Sequence, residues 1–374
     1  MISVKEVTDK KTLKEFAYFI YDIYEGDKNF VPPIRKDYLK YLQGVDNDLN
    51  NAGPNTKFIC YDGDKVVGRL LVGINEIVND YHGFKEGYIS QFECENNYEY
   101  AEKLLDAAVE YLRAHGMNKV KGPVSLPGGE DNRGFIVDNF EDQPYIMNTY
   151  NKSYYNDFFV KYGFEKYFDC YAYKDKIKNA NIERFEKLVP YAMKKFNFRV
   201  DNIDFSRLDS DAADIMHVIE KAMPKEWDDF APLDEEEIRK VVKQLKPYAD
   251  PELIFIARDN ETNEPIGFNI TLPDYNQAIK KMKGRLLPFG FIKFLYHKRK
   301  IDRIRFFVLF VVPEYQKKGV TSVMYLKTYI NAIKKGYTEL EGSTIWEYNK
   351  DMMNDVESFG AKINITYRIY QMDI

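Results

Sequence analysis

The sequence predicts two tandem domains of mixed α+β/α/β class, and three observations carry that expectation. Its 374 residues are about twice the length of a single domain. A composition of 45% hydrophobic and 16% aromatic residues supplies apolar side chains for two cores. A set of short matches also recurs along the chain at a nearly constant offset.

The recurrence is clearest in Tyr150-Asn151-Lys152 followed by Asn156-Asp157, which returns as Tyr348-Asn349-Lys350 and Asn354-Asp355, 198 residues later. A glycine follows each, Gly163 and Gly360, and then a tyrosine pair, Tyr171 and Tyr173 or Tyr367 and Tyr370. Upstream, Phe58-Ile59, Asp62 and Gly68 match Phe255-Ile256, Asp259 and Gly267. Gly116 and Gly122 pair with Gly336 and Gly342 at an offset of 220, so each copy carries its own insertion: 123–147 in the first and 273–305 in the second. A period near 200 residues is a duplicated domain, not a solenoid repeat. The boundary is placed between residues 1–178 and 179–374.

Residues 3–7 alternate as a strand, and 11–24 place apolar side chains at helical spacing. Strands 57–61 and 66–77 flank Asp62-Gly63-Asp64 as a hairpin, and 87–95 reads as a further strand. Ala101, Leu104, Leu105, Ala108, Val109 and Leu112 form one helical face that stops before Gly116. The second copy repeats the order: strand 198–203, helices, hairpin 253–271, strand 304–312 and helix 322–333. Residues 179–196 read as a joining helix interrupted at Pro190.

Charge excludes some classes of partner. With 54 Lys and Arg against 59 Asp and Glu, a net charge of −5 gives no global attraction to nucleic acid or acidic membranes. Cys60, Cys94 and Cys170 lack CxxC spacing, and four separated histidines lack ligand spacing, so neither disulfide framework nor metal site is expected. A soluble protein of a reducing cytoplasm is expected, since no apolar run is long enough to span a bilayer.

Strand 306–312, then Pro313-Glu314-Tyr315-Gln316-Lys317-Lys318-Gly319-Val320-Thr321, then a helix, resembles the acyl-CoA-binding motif of the GNAT superfamily, V-x-P-x-[FY]-[QR]-x-x-G-x-[GA]. Val311, Pro313, Tyr315, Gln316 and Gly319 fit, and Thr321 replaces the usual Gly or Ala. The two-copy pattern is similar to a group of bacterial GNAT-related proteins. The resemblance implies two GNAT-like domains, each a mixed, mostly antiparallel sheet flanked by helices, with acetyl-CoA or another acyl-CoA as co-substrate and an amine as acceptor.

Independently, a glycine turn opening a helix aims free amides and the positive end of the helix dipole at one point, which suits a pyrophosphate. Lys317 and Lys318 add charge, and Thr321 or Ser322 adds a hydroxyl donor. The cofactor-binding candidates are therefore Phe310, Val311, Val312, Gln316, Lys317, Lys318, Gly319, Val320, Thr321, Ser322 and Asn349. The matching stretch of the first copy, 92–101, has no glycine or cation but carries Glu93, Glu95 and Glu99, which repel an anion.

Both copies resemble the family's late motif, N-x-x-A-x-x-L-Y-x-x-L-G-F, but its tyrosine, which often protonates the leaving thiolate, is Phe159 in one and Val356 in the other. A thiol with a pKa near ~8.5 leaves without that help. Amide formation also needs a base, and Glu347, whose counterpart is Thr149, is the first candidate, with Glu341 the second. The bland reading of Glu347 is an exposed carboxylate at a strand end, and that of Asn151 and Asn349 is a cap. The cationic and aromatic insertion 280–305 suits RNA, a membrane surface or an acidic substrate, or equally a solvated hairpin with an apolar underside. Two further readings stay open: a Fem-type transferase using aminoacyl-tRNA, and a non-catalytic binding or sensor protein on a degenerate tandem fold.

Overall fold

The computed structural model describes residues 1–127, 132–223, 227, 230, 231, 239, 241, 242 and 245–374. The first half runs β1 (Ile2–Glu6), α1 (Lys10–Ile23), α2 (Arg35–Leu42), β2 (Asn55–Asp62), β3 (Lys65–Gly73), α3 (Glu76–His82), β4 (Glu86–Cys94), α4 (Tyr98–Ala114), β5 (Lys119–Gly122), β6 (Phe135–Ile136), α5 (Tyr154–Tyr162) and β7 (Glu165–Lys176). The second runs α6 (Ile182–Lys195), β8 (Phe198–Asn202), α7 (Leu208–Ala222), β9 (Ile254–Asp259), β10 (Pro265–Pro273), α8 (Asn276–Met282), α9 (Gly290–Lys298), β11 (Arg303–Val311), α10 (Val320–Lys335), β12 (Glu339–Trp346), α11 (Lys350–Ser358) and β13 (Lys362–Asp373).

The apolar face read for 101–112 is buried in α4: Ala101, Leu104, Leu105, Ala108 and Leu112 are all fully enclosed against the sheet. The sequence reads an interruption at Pro190, and the structure shows none: α6 runs through it without a break. Pro190 and the residue four before it, Glu186, are both exposed, so the carbonyl freed by the missing N–H faces water, and burial of Phe185 and Val189 holds the helix together.

The strands form one sheet in the order β1-β2-β3-β4-β5-β13-β7-β12-β11-β10-β9-β8, with β6 pairing beside β13. Each half is antiparallel except where its fourth and fifth strands run parallel: Glu86–Tyr88 against Lys119–Lys121, and Arg303–Phe306 against Glu339–Gly342. The halves meet by exchange. β13, last in the second half, pairs with β5 of the first, and β7, last in the first half, pairs with β12 of the second. β7 and β13 also pair with each other between Glu165 and Lys174. Each fifth strand is thus completed by the other half of the chain.

Candidate functional site

The two parallel strand pairs stop early, and what fills the gap beyond them differs between the halves. In the second half the last matched pair is Phe306 with Gly342. A register shift leaves Phe307 as a bulge against β10. Beyond it β11 keeps only its β10 neighbour, while β12 keeps only β7, resuming that pairing at Ile345 and Trp346 after a register shift. A cleft of about 100 Å³ opens between the parting strands, lined by 306–310 and 342–346 together with Tyr325, Asn349, Met352, Val356 and Trp227. Trp227 closes one side by stacking on Trp346 at 4.9 Å.

In the first half the corresponding space is packed with aromatic rings. Phe92, Phe135, Tyr155 and Phe159 are all buried, with ring centroids 4.9 to 6.2 Å apart. Counted back from Gly163 and Gly360, Tyr155 and Phe159 correspond to Met352 and Val356, so smaller side chains on α11 open what larger ones on α5 close. The backbone edge is sealed too. The Cys94 N–H donates to Tyr155 Oη at 3.0 Å, and the Tyr155 hydroxyl donates to Glu93 at 2.8 Å. Burial pushes the Glu93 carboxyl up to about 7.

The loops beside the open cleft and its filled counterpart differ in the same sense. Asn97 caps α4, accepting from the Glu99 amide at 3.1 Å. Gly319, at φ +87°, is the N-cap of α10 and has no side chain to offer. The amides of Gly319, Val320, Thr321 and Ser322 make no hydrogen bond among the described residues. Lys317, also left-handed at φ +60°, pairs with Asp351 at 3.4 Å, both largely in water. Lys318 lies over the Tyr315 ring. The Tyr315 hydroxyl donates to Asp259, the largest influence holding that carboxyl down at about 2. Gln316 donates to the Val311 carbonyl at 3.2 Å.

The remaining candidates fall in separate places. Phe310 lines the cleft, and Val311 and Val312 are buried behind it. Asn349 lines the cleft and caps α11, accepting from the Met352 amide at 3.2 Å, whereas Asn151 ties down β6 through the Ile136 amide at 2.7 Å. Glu347 lies just past β12 and pairs with Lys166 of β7 at 2.6 Å, away from the cleft lining. Glu341 is fully buried. Its Oε1 accepts from Ser343 Oγ and Asn148 Nδ2, both at 2.7 Å, and its Oε2 has no hydrogen bond among the described residues. Burial raises this carboxyl to about 7, against the lowering pull of the buried Arg305. Arg305 donates to Ser343 Oγ at 2.9 Å.

Ser343, Asn148, Tyr325 and Trp227 went unselected in the sequence reading, and Arg305, read there as a cation of the 280–305 insertion, is instead buried in β11. Asn148 sits nearly two hundred residues from Glu341 and reaches it only because the halves interlock. The faint signal for the cluster around Glu341 is that Glu341 replaces the Lys121 of the first half, where Lys121 pairs with buried Glu86 at 2.8 Å.

No family model matches the chain. Protein YghO of Escherichia coli is 26% identical over 99% of this chain and 95% of its own length. Bacterial ceramide synthase of Caulobacter vibrioides is 25% identical over 99% of this chain and 97% of its own. Among solved structures, a tandem GNAT protein from the clavulanic acid biosynthesis pathway superposes on the whole chain and on 98% of its own, with TM-score 0.59 and 11% identity. A GCN5-related glucosamine N-acetyltransferase region within a fungal multi-domain β-N-acetylglucosaminidase gives the same TM-score at 14% identity, this chain spanning 38% of that protein. The fold is a tandem GNAT fold, two GNAT-like units with mixed sheets flanked by helices.

Proposed function

We propose that the chain is an acyl-CoA-dependent N-acyltransferase that takes its acyl donor in the second half. The observation carrying this reading is the pairing of four unbonded amides at the start of α10 with an open cleft between β11 and β12, against a capped helix and a ring-filled gap in the first half. The residues present fit the group. The amides from Gly319 to Ser322, with Lys317 and Lys318, suit the pyrophosphate, while Phe310, Asn349 and the strand edges suit the arm and the acyl group. Bound acyl-CoA supplies an activated carbonyl.

Glu341 is the proton acceptor in this reading, reaching the cleft through the Ser343 hydroxyl that donates to it. Ser343 is a cleft-lining group, and Arg305 positions it. Glu347, held by Lys166, is the alternative base. The edge of β11 past the Phe307 bulge offers backbone N–H groups to the carbonyl oxygen. No tyrosine serves as acid at Val356, so the thiolate leaves unassisted or takes its proton from Tyr325, which also lines the cleft.

The acceptor is an amine of a small molecule or peptide, and a cleft of about 100 Å³ suits acetyl. A second reading has its own support. The relative named bacterial ceramide synthase matches this chain end to end, and a ceramide is the N-acyl amide of a long-chain amino alcohol. In that reading the donor is a long-chain acyl-CoA, and Trp227 moves aside to admit it.

Calorimetric titration with acetyl-CoA and palmitoyl-CoA tests the proposal, using wild type and Met352→Tyr with Val356→Phe, which rebuilds the first-half plug. Binding by wild type and loss in the double variant is expected, and the tighter donor assigns the acyl class. No binding of either donor overturns the proposal. Binding without turnover across a panel of amines leaves a sensor, and displacement by aminoacyl-tRNA but not CoA leaves a Fem-type transferase.

A further inference from the structure

The insertion between β10 and β11 does not turn its apolar residues underneath, as a solvated hairpin does. α8 and α9 are anchored by a narrow base. Met282 is buried, Phe294 stacks near Tyr275 at 6.0 Å, and the Gly284 carbonyl accepts from the Arg35 amide at 3.0 Å. Everything apolar beyond that base faces outward: Leu287 is 75% exposed, Phe289 67%, Ile292 63% and Tyr296 58%, with Phe291 and Leu295 beside them.

Around this patch, residues 275–301 hold eight Lys and Arg and no Asp or Glu, in a chain whose net charge is −5. Exposed Lys281, Lys283, Arg285, Lys293, Lys298, Arg299 and Lys300 have no acidic partner among the described residues. No helix among the described residues is long and apolar enough to cross a membrane.

We infer that α8 and α9 form a docking surface for an anionic lipid bilayer, lying in the plane of its interface. Outward leucine, isoleucine and phenylalanine enter the acyl boundary while the lysines and arginines meet the headgroups, the division of labour of interfacial helices. A second copy of the chain is disfavoured because a two-fold contact brings these cations against themselves. RNA is disfavoured because the exposed rings of Phe289, Phe291 and Tyr296 are interleaved with Leu287, Ile292 and Leu295, aliphatic surface that a base-stacking groove does not use and a bilayer does.

The placement agrees with this. The insertion leaves the sheet at the start of β11 and the Gly319 loop lies past its end, so the nine residues of the strand, roughly 30 Å, keep the loop in water. The inference stands on this surface alone and does not depend on the acyltransferase reading.

Co-sedimentation of the full chain, without any acyl-CoA, with phosphatidylcholine vesicles and with vesicles containing added phosphatidylglycerol tests it. Wild type is expected to partition onto the anionic vesicles only and to be released by salt. Leu287→Ser with Ile292→Ser, and Lys298→Glu with Arg299→Glu, are each expected to weaken partition at least about tenfold. Phe291→Trp, whose fluorescence shifts to the blue on entering lipid, reports insertion directly. These positions are exposed, and an unchanged thermal melt verifies each variant's fold. Failure of wild type to bind anionic vesicles, equal binding by both double variants, or displacement from vesicles by an RNA homopolymer overturns the inference.

Discussion

At Glu341 a carboxylate is enclosed where its neutral form is favoured, and this has opposite consequences for stability and for activity. Because the folded carboxyl titrates at about 7, above its ordinary 4.5, its contribution to stability is full below pH 4.5 and is lost as pH rises through about 7. Urea denaturation across that window is expected to show the decline in wild type and not in Glu341→Gln. Activity runs the other way, since only the ionised form accepts a proton. The rate of amide formation is expected to rise with an apparent midpoint near 7, and Glu341→Gln to lower it by roughly 10²- to 10⁴-fold and flatten the profile. Glu347→Gln separates the two candidates. If it only breaks the half-exposed pair with Lys166, it costs less than about 1 kcal/mol and leaves the turnover rate unchanged. The Gly319 loop was legible because its spacing is local. The Glu341 cluster was not, because Asn148 joins it from the other half.

Among the elements, α5 and α11 show how one fold position is closed or opened by side-chain size. Met352→Tyr with Val356→Phe is expected to abolish donor binding while changing stability by no more than roughly 1–3 kcal/mol, because the cleft it fills is real space. α6 offers a separate test. Pro190→Ala restores an N–H to an exposed helical turn and is expected to stabilise the protein by up to roughly 3 kcal/mol, seen as a raised melting temperature. Amphipathic helices such as α1 and α4 were readable because their buried faces recur at helical spacing. The continuity of α6 was not, since the local signal at Pro190 is the same whether the helix stops or the exposed Glu186 carbonyl turns to water.

For the whole molecule, the exchange of β7 and β13 makes each half depend on the other, and unfolding is expected to be a single transition, coincident by tryptophan fluorescence and far-ultraviolet dichroism. A chain truncated before Lys362 removes the strand beside both β5 and β7 and is expected to leave neither half folded, whereas two separate transitions in the full chain would contradict the coupling. The sequence by itself determined the duplication, the order of strands and helices within each copy, and the glycine loop, because repeats, periodicity and turn chemistry act over a few residues. Only the tertiary structure decided which strand completes which sheet, which gap is filled with rings and which carboxylate is buried beside the open one. Strand pairing and burial depend on residues as far apart in the chain as Lys119 and Asp373, and nothing in a local pattern records that distance.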